Sequence, residues 1–246
     1  MTAPVFVAEH LDATGDGRYV LDGLEGRHAV SVKRLRVGET VVLTDGAGRW
    51  AGGEVLATEG KDRLVLRLDP VAEEPPEQPR ITVVQALPKG DRGELAVETM
   101  TEVGVDAIVP WAASRCITQW KGERGRKALG KWRATAREAG KQSRRVRFPD
   151  VADLATTKQV AALLAAADFA AVLHETGEEP LATAELPGTG EIVLVVGPEG
   201  GVSTEELALF AEAGAQPYVL GRTVLRTSTA GTAATALLLG RTGRWG

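Results

Sequence analysis

The hydrophobic pattern of the chain changes period near residue 80. Before it, short runs at 5–8, 19–21, 40–44, 50–56 and 63–68 are apolar and β-branched and are bounded by turn residues such as Gly15-Asp16-Gly17 and Asp45-Gly46-Ala47-Gly48. They predict five short strands and hence a small β-barrel. Between them His28, Val32 and Leu35 fall at helical spacing within 27–36 and leave Lys33, Arg34 and Arg36 as a cationic strip, open to two readings: a solvated helix face or a contact for an anion. The stretch 70–79 holds four prolines among glutamates, a composition that suits neither a strand nor a helix and reads as a linker.

Beyond the linker, strand and helix patterns alternate. The apolar run 81–87 predicts a buried strand, and Ala96, Met100 and Val103 place a helix over 94–103 that stops at Gly104. A strand at 106–111, helices at 127–141 and 158–167, strands at 169–173 and 191–196, a helix at 205–213, a strand at 218–220 and a last helix at 229–239 follow. Such alternation implies an α/β domain with a largely parallel sheet. The predicted organisation is a barrel over 1–70, a linker over 71–79 and an α/β domain over 80–246.

Composition narrows the class. With 246 residues, 43% hydrophobic and 25% charged, the chain can bury two unequal cores. No apolar segment approaches the roughly 20 residues of a membrane span, and Met1-Thr2-Ala3-Pro4 has no basic and apolar leader pattern, so a cytoplasmic protein without a membrane partner is expected. The single Cys116 excludes an intramolecular disulfide, and His10, His28 and His174 lack metal-ligand spacing, so no metal is expected.

Charge is uneven. The formal net charge is −4, yet the window from Arg115 to Arg147 holds twelve Lys/Arg against Glu123 and Glu138, a local +10 that leaves −14 on the remainder. One dense basic band in an acidic chain fits a polyanion, and nucleic acid leads the candidates. Lys131, Arg133, Arg137 and Lys141, followed by Gln142-Ser143-Arg144-Arg145-Val146-Arg147, can meet phosphates, with Trp120 and Trp132 open to base stacking or to core packing.

The most specific chemistry lies at strand ends. The strand at 191–196 runs into Gly197-Pro198-Glu199-Gly200-Gly201, after which Ser203 and Glu206 form a capping box. Glycines at the carboxyl end of a strand either meet a ligand with bare backbone or make a tight turn. The spacing fits neither the phosphate loop nor the dinucleotide fingerprint. Leu220-Gly221, then Leu225-Arg226-Thr227-Ser228-Thr229-Ala230, make a second wall in which the leucines suit a flat ring, while Thr227 or Ser228 can cap the last helix. Leu173-His174-Glu175 forms a third strand end, for which plain surface solvation is the default.

Together, Gln85-Ala86-Leu87-Pro88-Lys89-Gly90-Asp91, Thr101-Glu102-Val103-Gly104-Val105, Gln142-Ser143-Arg144-Arg145, Leu173-His174-Glu175, Val196-Gly197-Pro198-Glu199-Gly200-Gly201, Leu220-Gly221 and Leu225-Arg226-Thr227 resemble the RsmE family, SPOUT-class methyltransferases acting on N3 of a uridine in 16S ribosomal RNA. The likeness extends to His28, Val32, Arg34-Leu35 and Gly38. It implies an RNA-binding PUA-like β-barrel followed by a SPOUT-type α/β domain with a trefoil knot, a topology rare enough that pattern alone predicts an unknotted sheet. It further implies a homodimer acting on ribosomal RNA or the small ribosomal subunit, with S-adenosylmethionine as cofactor.

On this resemblance the cofactor residues are Leu173, His174, Glu175, Gly197, Pro198, Glu199, Gly200, Gly201, Leu220, Gly221, Leu225, Arg226, Thr227, Ser228 and Ala230. The RNA contacts are Arg34, Arg36, Lys89, Arg133, Arg137, Gln142, Ser143, Arg144, Arg145 and Arg147. Arg226 is the candidate catalytic residue, because a fixed guanidinium can stabilise charge spreading over a uracil; its alternative is a salt bridge to Glu199. The chain departs from many relatives in having no arginine before Arg18, Ser228 where Glu is common, and Arg222-Thr223 where Pro-Arg is common.

Overall fold

A computed structural model describes residues 3–246; Met1 and Thr2, part of the leader reading, lie outside the described residues. The chain forms two units, one running to Pro76 and including Gly140–Phe148, the other made of Glu77–Ala139 and Pro149–Gly246.

The first unit is a six-stranded sheet of β1 (Val5–Val7), β2 (Arg18–Leu21), β3 (Thr40–Thr44), β4 (Arg49–Glu59), β5 (Arg63–Leu68) and β6 (Ala72–Glu73). Strand order is β1-β3-β4-β5-β2, with β6 on β4; only the β1–β3 pairing is parallel. Alternate residues of β4 and β5, among them Ala51, Val55, Leu64 and Leu66, turn inward onto Phe6, Leu11 and Leu43. Part of the proline-rich stretch is thus a strand: Ala72–Glu73 pairs with Arg49 and Trp50, using the interval between Pro70 and Pro75 where amide protons are available. The helix predicted over 27–36 lies earlier, as α1 (Gly23–Arg27) continued by a π-wound turn (His28–Val32) closed by Lys33 N to His28 O at 2.8 Å.

The segment Gly140–Phe148 joins this unit because two glycines leave room for it. A Cβ at Gly46 or at Gly140 would collide with opposite edges of the Phe148 ring, and Phe148 N donates to Gly46 O at 2.8 Å while Thr44 Oγ1 donates to Val146 O at 2.7 Å.

The second unit contains β7 (Arg80–Ala86), α2 (Arg92–Val103), β8 (Ala107–Trp111), most of α3 (Gly122–Gln142), β9 (Asp150–Val151), α4 (Thr157–Ala165), β10 (Phe169–Leu173), β11 (Glu179–Pro180), β12 (Glu191–Val196), α5 (Thr204–Glu212), β13 (Gln216–Val219) and α6 (Thr227–Arg241). Its seven strands are all parallel, in the order β11-β13-β10-β12-β7-β8-β9. Ile81 to Ala86 and Ile192 to Val196 are buried throughout, as expected of strands covered on both faces. The predicted stop at Gly104 is observed, with φ of 112°. From β13, near one edge, α6 returns to the middle of the sheet and packs on α2, β7 and β12, the chain course that the SPOUT resemblance implies. Gly231 is the close-approach point, where a Cβ would stand 2.7 Å from Met100 Sδ.

Register aligns the functional end. Leu173 pairs with Val196 and Val196 with Gln85, so three neighbouring strands finish level at their carboxyl ends, the place where open parallel sheets accept ligands.

Candidate ligand site at the strand ends

A cavity of about 400 Å³ opens at these ends, within the range of small-molecule sites. Among the expected cofactor residues, Leu173, His174, Glu175, Gly197, Pro198, Glu199, Gly201, Leu225, Arg226, Thr227 and Ala230 line it. A smaller space of about 140 Å³ shares part of this wall and adds Leu220 and Gly221. His174 and Glu175, read by default as solvated surface, are therefore wall residues. Gly200 and Ser228 line neither space: Gly200 faces Arg115, and Ser228 is buried in the first turn of α6. Arg92, Val202 and Val224 also line the larger cavity. Arg92 stands at the start of α2, next after the Lys89-Gly90-Asp91 run, so the end of β7 was the available signal.

The glycine loop is fixed at both ends. Ser203 caps α5, its Oγ accepting from Glu206 N at 3.3 Å while Glu206 Oε2 accepts from Ser203 N at 3.0 Å, as the capping-box pattern predicts. The same buried carboxylate accepts through Oε1 from Ser114 N at 2.8 Å and Thr157 Oγ1 at 3.2 Å, so one cap also ties α5 to the segment after β8 and to the first residue of α4. Beside it the Glu205 carboxyl is held below its usual range, chiefly by its own backbone amide, then by the Ser203 hydroxyl, with a smaller contribution from the Arg115 charge.

Thr227 does not cap α6, and neither does Ser228. The N-cap position is Arg226, without a side-chain cap bond. Thr227 Oγ1 instead accepts from Gln85 Nε2 at 3.0 Å and donates to Gly197 O at 2.8 Å, crossing from β7 through α6 to the glycine loop. Glu199 is held from the α2 side: its Oε1 accepts from Lys89 N at 3.2 Å and lies 3.9 Å from Arg92 Nη1. Arg226, for which Glu199 was the alternative partner, has no carboxylate within 4 Å among the described residues and is exposed.

The wall combines apolar faces (Leu173, Val196, Val202, Leu225, Ala230) with backbone groups and two carboxylates, Glu175 and Glu199. Arg92 and Arg226 line the same cavity, so it offers apolar surface to a flat ring together with charged groups of both signs. Among the described residues no three His, Cys, Asp or Glu side chains gather as metal ligands, and no helix is long and apolar enough to cross a membrane.

The expected RNA contacts fall in both units. In the first, Arg34 and Arg144 are exposed with φ of 56° and 62°, Arg36 and Gln142 are exposed, and Ser143 is half-buried. Arg145 Nε donates to Arg147 O at 2.9 Å and Arg147 Nη2 to Glu74 O at 2.7 Å, so both shape the local fold. Lys141 is nearly buried, its Nζ 2.9 Å from Glu25 Oε1. In the second unit Lys89 is exposed, Arg133 is tied to Val151 O and Asp153, and Lys131 pairs with Glu94; Arg137 is also engaged by neighbours. Trp132 is buried and meets Trp120 edge to face at 5.0 Å, which assigns this pair to packing.

Known proteins share this arrangement. The RNA methyltransferase domain family matches residues 75–239, and the RNA methyltransferase PUA domain family matches residues 21–69. Ribosomal RNA small subunit methyltransferase E of Mycobacterium bovis is 44% identical over 249 aligned positions, covering 100% of this chain and 94% of that protein; the Bacillus subtilis protein of the same name is 28% identical over 86% of each. The crystal structure of the Neisseria gonorrhoeae ribosomal RNA small subunit methyltransferase E bound to S-adenosyl methionine superposes with a TM-score of 0.83 at 29% identity, covering 98% of each chain. A methyltransferase from Legionella pneumophila in complex with the same cofactor gives 0.83 at 26% identity, again over 98% of each. The chain belongs to the RsmE family of RNA methyltransferases.

Proposed function

We propose that the protein uses S-adenosylmethionine to methylate N3 of a uridine in small-subunit (16S) ribosomal RNA, as a cytoplasmic homodimer. The observation that carries the reading is the cavity at the level ends of β7, β10 and β12, with bare glycine backbone, apolar faces and two carboxylates in one wall. The comparisons support the cofactor and the ribosomal RNA substrate; the choice of uridine N3 and the dimer rest on the family resemblance.

The residues present fit that cofactor. Leu173, Leu225 and Ala230 offer apolar surface to an adenine ring, and Glu175 and Glu199 offer negative charge to its ammonium and sulfonium groups. When bound, it supplies an electrophilic methyl group. Methylation would need the N3 proton to pass to a base or to water, which leaves negative charge over N3, O2 and O4 of the uracil; N3 would then take the methyl as its bond to sulfur breaks and S-adenosylhomocysteine leaves. Arg226, on the same wall and free of any carboxylate within 4 Å among the described residues, supplies the positive charge to offset it. Positioning of the two reactants accounts for most of the remaining catalysis.

A purified-protein assay tests the reading: transfer of labelled methyl from S-adenosylmethionine to small-subunit RNA, with calorimetric titration of S-adenosylmethionine alongside. Saturable cofactor binding and methyl incorporation are expected. RNA binding with neither would instead identify a non-catalytic RNA-binding protein built on the barrel and basic band.

A further inference from the structure

Arg115 opens the basic band in sequence, but its side chain is turned toward the glycine loop. Its Nη1 donates to Gly200 O at 3.2 Å. Its own Cβ and carbonyl oxygen would lie 3.2 and 3.4 Å from a Cβ placed on Gly200, and Nη1 would lie 3.8 Å from one on Gly201, so the arginine runs along the outer side of both glycines. The preceding residue is anchored independently, Ser114 N donating to the buried Glu206 at 2.8 Å. The segment after β8 thus grips the loop at its glycines and at the helix that follows. Neither Arg115 nor Gly200 lines the cavity, whereas Gly197, Pro198, Glu199 and Gly201 do.

We infer that Arg115 is a positioning residue for cofactor binding, a role that rests on the functional reading above. Glycines at 200 and 201 leave that stretch without side chains of its own to hold it, and backbone freedom there is large. Gly201 N donates to Pro198 O at 2.9 Å and closes the turn from within; the Arg115 guanidinium adds a second restraint from outside by fixing the Gly200 carbonyl, which helps keep the peptide groups of 198–201 in the conformation that forms the wall. Arginine suits the task because its charge is permanent and its donors are rigidly splayed. The role also accounts for the glycine at 200: a side chain would push against the Arg115 stem on the far side from the cavity.

The test compares the full-length wild type with Arg115→Met and Arg115→Lys by calorimetry with S-adenosylmethionine, thermal unfolding and RNA affinity. Arg115→Met, keeping the apolar stem, is expected to bind the cofactor about tenfold more weakly. The melting temperature should stay within about 2 °C of wild type, because Arg115 is exposed. RNA affinity should hold, KM for the cofactor should rise with little change in kcat, and Arg115→Lys should recover part of the loss. Unchanged cofactor affinity in Arg115→Met, a loss matched by a fall in melting temperature, or a loss of RNA affinity alone would overturn the assignment. A wild type that fails to bind S-adenosylmethionine overturns the functional reading itself, and the proposal with it.

Discussion

Gln85 donates from Nε2 to Thr227 Oγ1 at 3.0 Å, joining the end of β7 to the first turn of α6 across 142 positions of sequence, and Thr227 passes the connection on to Gly197 O. Both side chains are buried. The chain of donors fixes the first glycine of the loop against the middle of the sheet, so the shape of the cavity depends on a buried amide and on the hydroxyl of Thr227, itself a wall residue. Thr227→Val keeps the shape, leaves the Gln85 amide without this acceptor and the Gly197 carbonyl without this donor, and should cost about 1–3 kcal/mol. Weaker cofactor binding should accompany it, and Thr227→Ser should restore both. Chemical denaturation and calorimetry on the two variants check the expectation; equal behaviour of Val and wild type would contradict it.

Arg226 is expected to act on the chemical step. Arg226→Met should lower kcat about 10²- to 10³-fold, the scale of losing one charge-stabilising donor, with a much smaller change in cofactor affinity. Single-turnover kinetics separates the two, and a loss confined to cofactor affinity would reassign Arg226 to binding.

Arg144, exposed in the turn after α3 with φ of 62°, is expected to meet phosphate. Arg144→Gln should weaken RNA binding and reduce the slope of log affinity against log salt by about 1, without a measurable change in stability. Binding titrations at several salt concentrations measure it, and an unchanged slope would remove Arg144 from the interface.

Arg244 anchors the last residues of the chain. Its guanidinium lies 2.6 Å from Asp106 and 2.6 Å from Glu77, and its side chain is only 6% exposed, which marks the ion pair as a buried one. Arg244→Met leaves Asp106 buried with its charge uncompensated, and a loss of about 3–5 kcal/mol is expected in denaturant unfolding. A loss under about 1 kcal/mol would show that the pair adds little.

Burial pushes the Cys116 thiol above its ordinary range, outweighing hydrogen bonds from Ala113 and Leu87 that lower it. A raised thiol pKa means that the native state holds the proton more tightly than the unfolded chain. The associated stability is complete below the ordinary thiol range and is lost as pH climbs through the raised value. Alkylation near pH 8 should therefore be slow in the native protein and fast after unfolding; rapid labelling of the native form would contradict the burial.

Much of this was legible in the chain before the fold was known. Buried strands such as Ile81 to Ala86 and the capping box at Ser203 and Glu206 are local, and local pattern found them. Glycine at 197, 200 and 201 marked the loop, yet only 197 and 201 line the cavity, and the partner of Gly200, Arg115, stands 85 residues away in sequence. Thr227 read as a cap because hydroxyl residues before a helix usually cap it; its partners Gln85 and Gly197 lie 142 and 30 positions away, beyond any local signal. The basic band was visible as charge, while its division between phosphate contact and scaffold was not: Lys141 is consumed by Glu25, and Arg147 by the Glu74 carbonyl. Phe148 could sit between Gly46 and Gly140 only once the fold had brought those glycines together.

The central claim is most directly tested by mass mapping of modified nucleosides in small-subunit ribosomal RNA from a strain lacking this protein, compared with its parent and with the strain re-expressing it. Loss of 3-methyluridine at one position, restored by the wild-type chain and not by Arg226→Met, is the predicted result. Persistence of that nucleoside in the deletion strain, or loss of a different methylated nucleoside, would contradict the assignment.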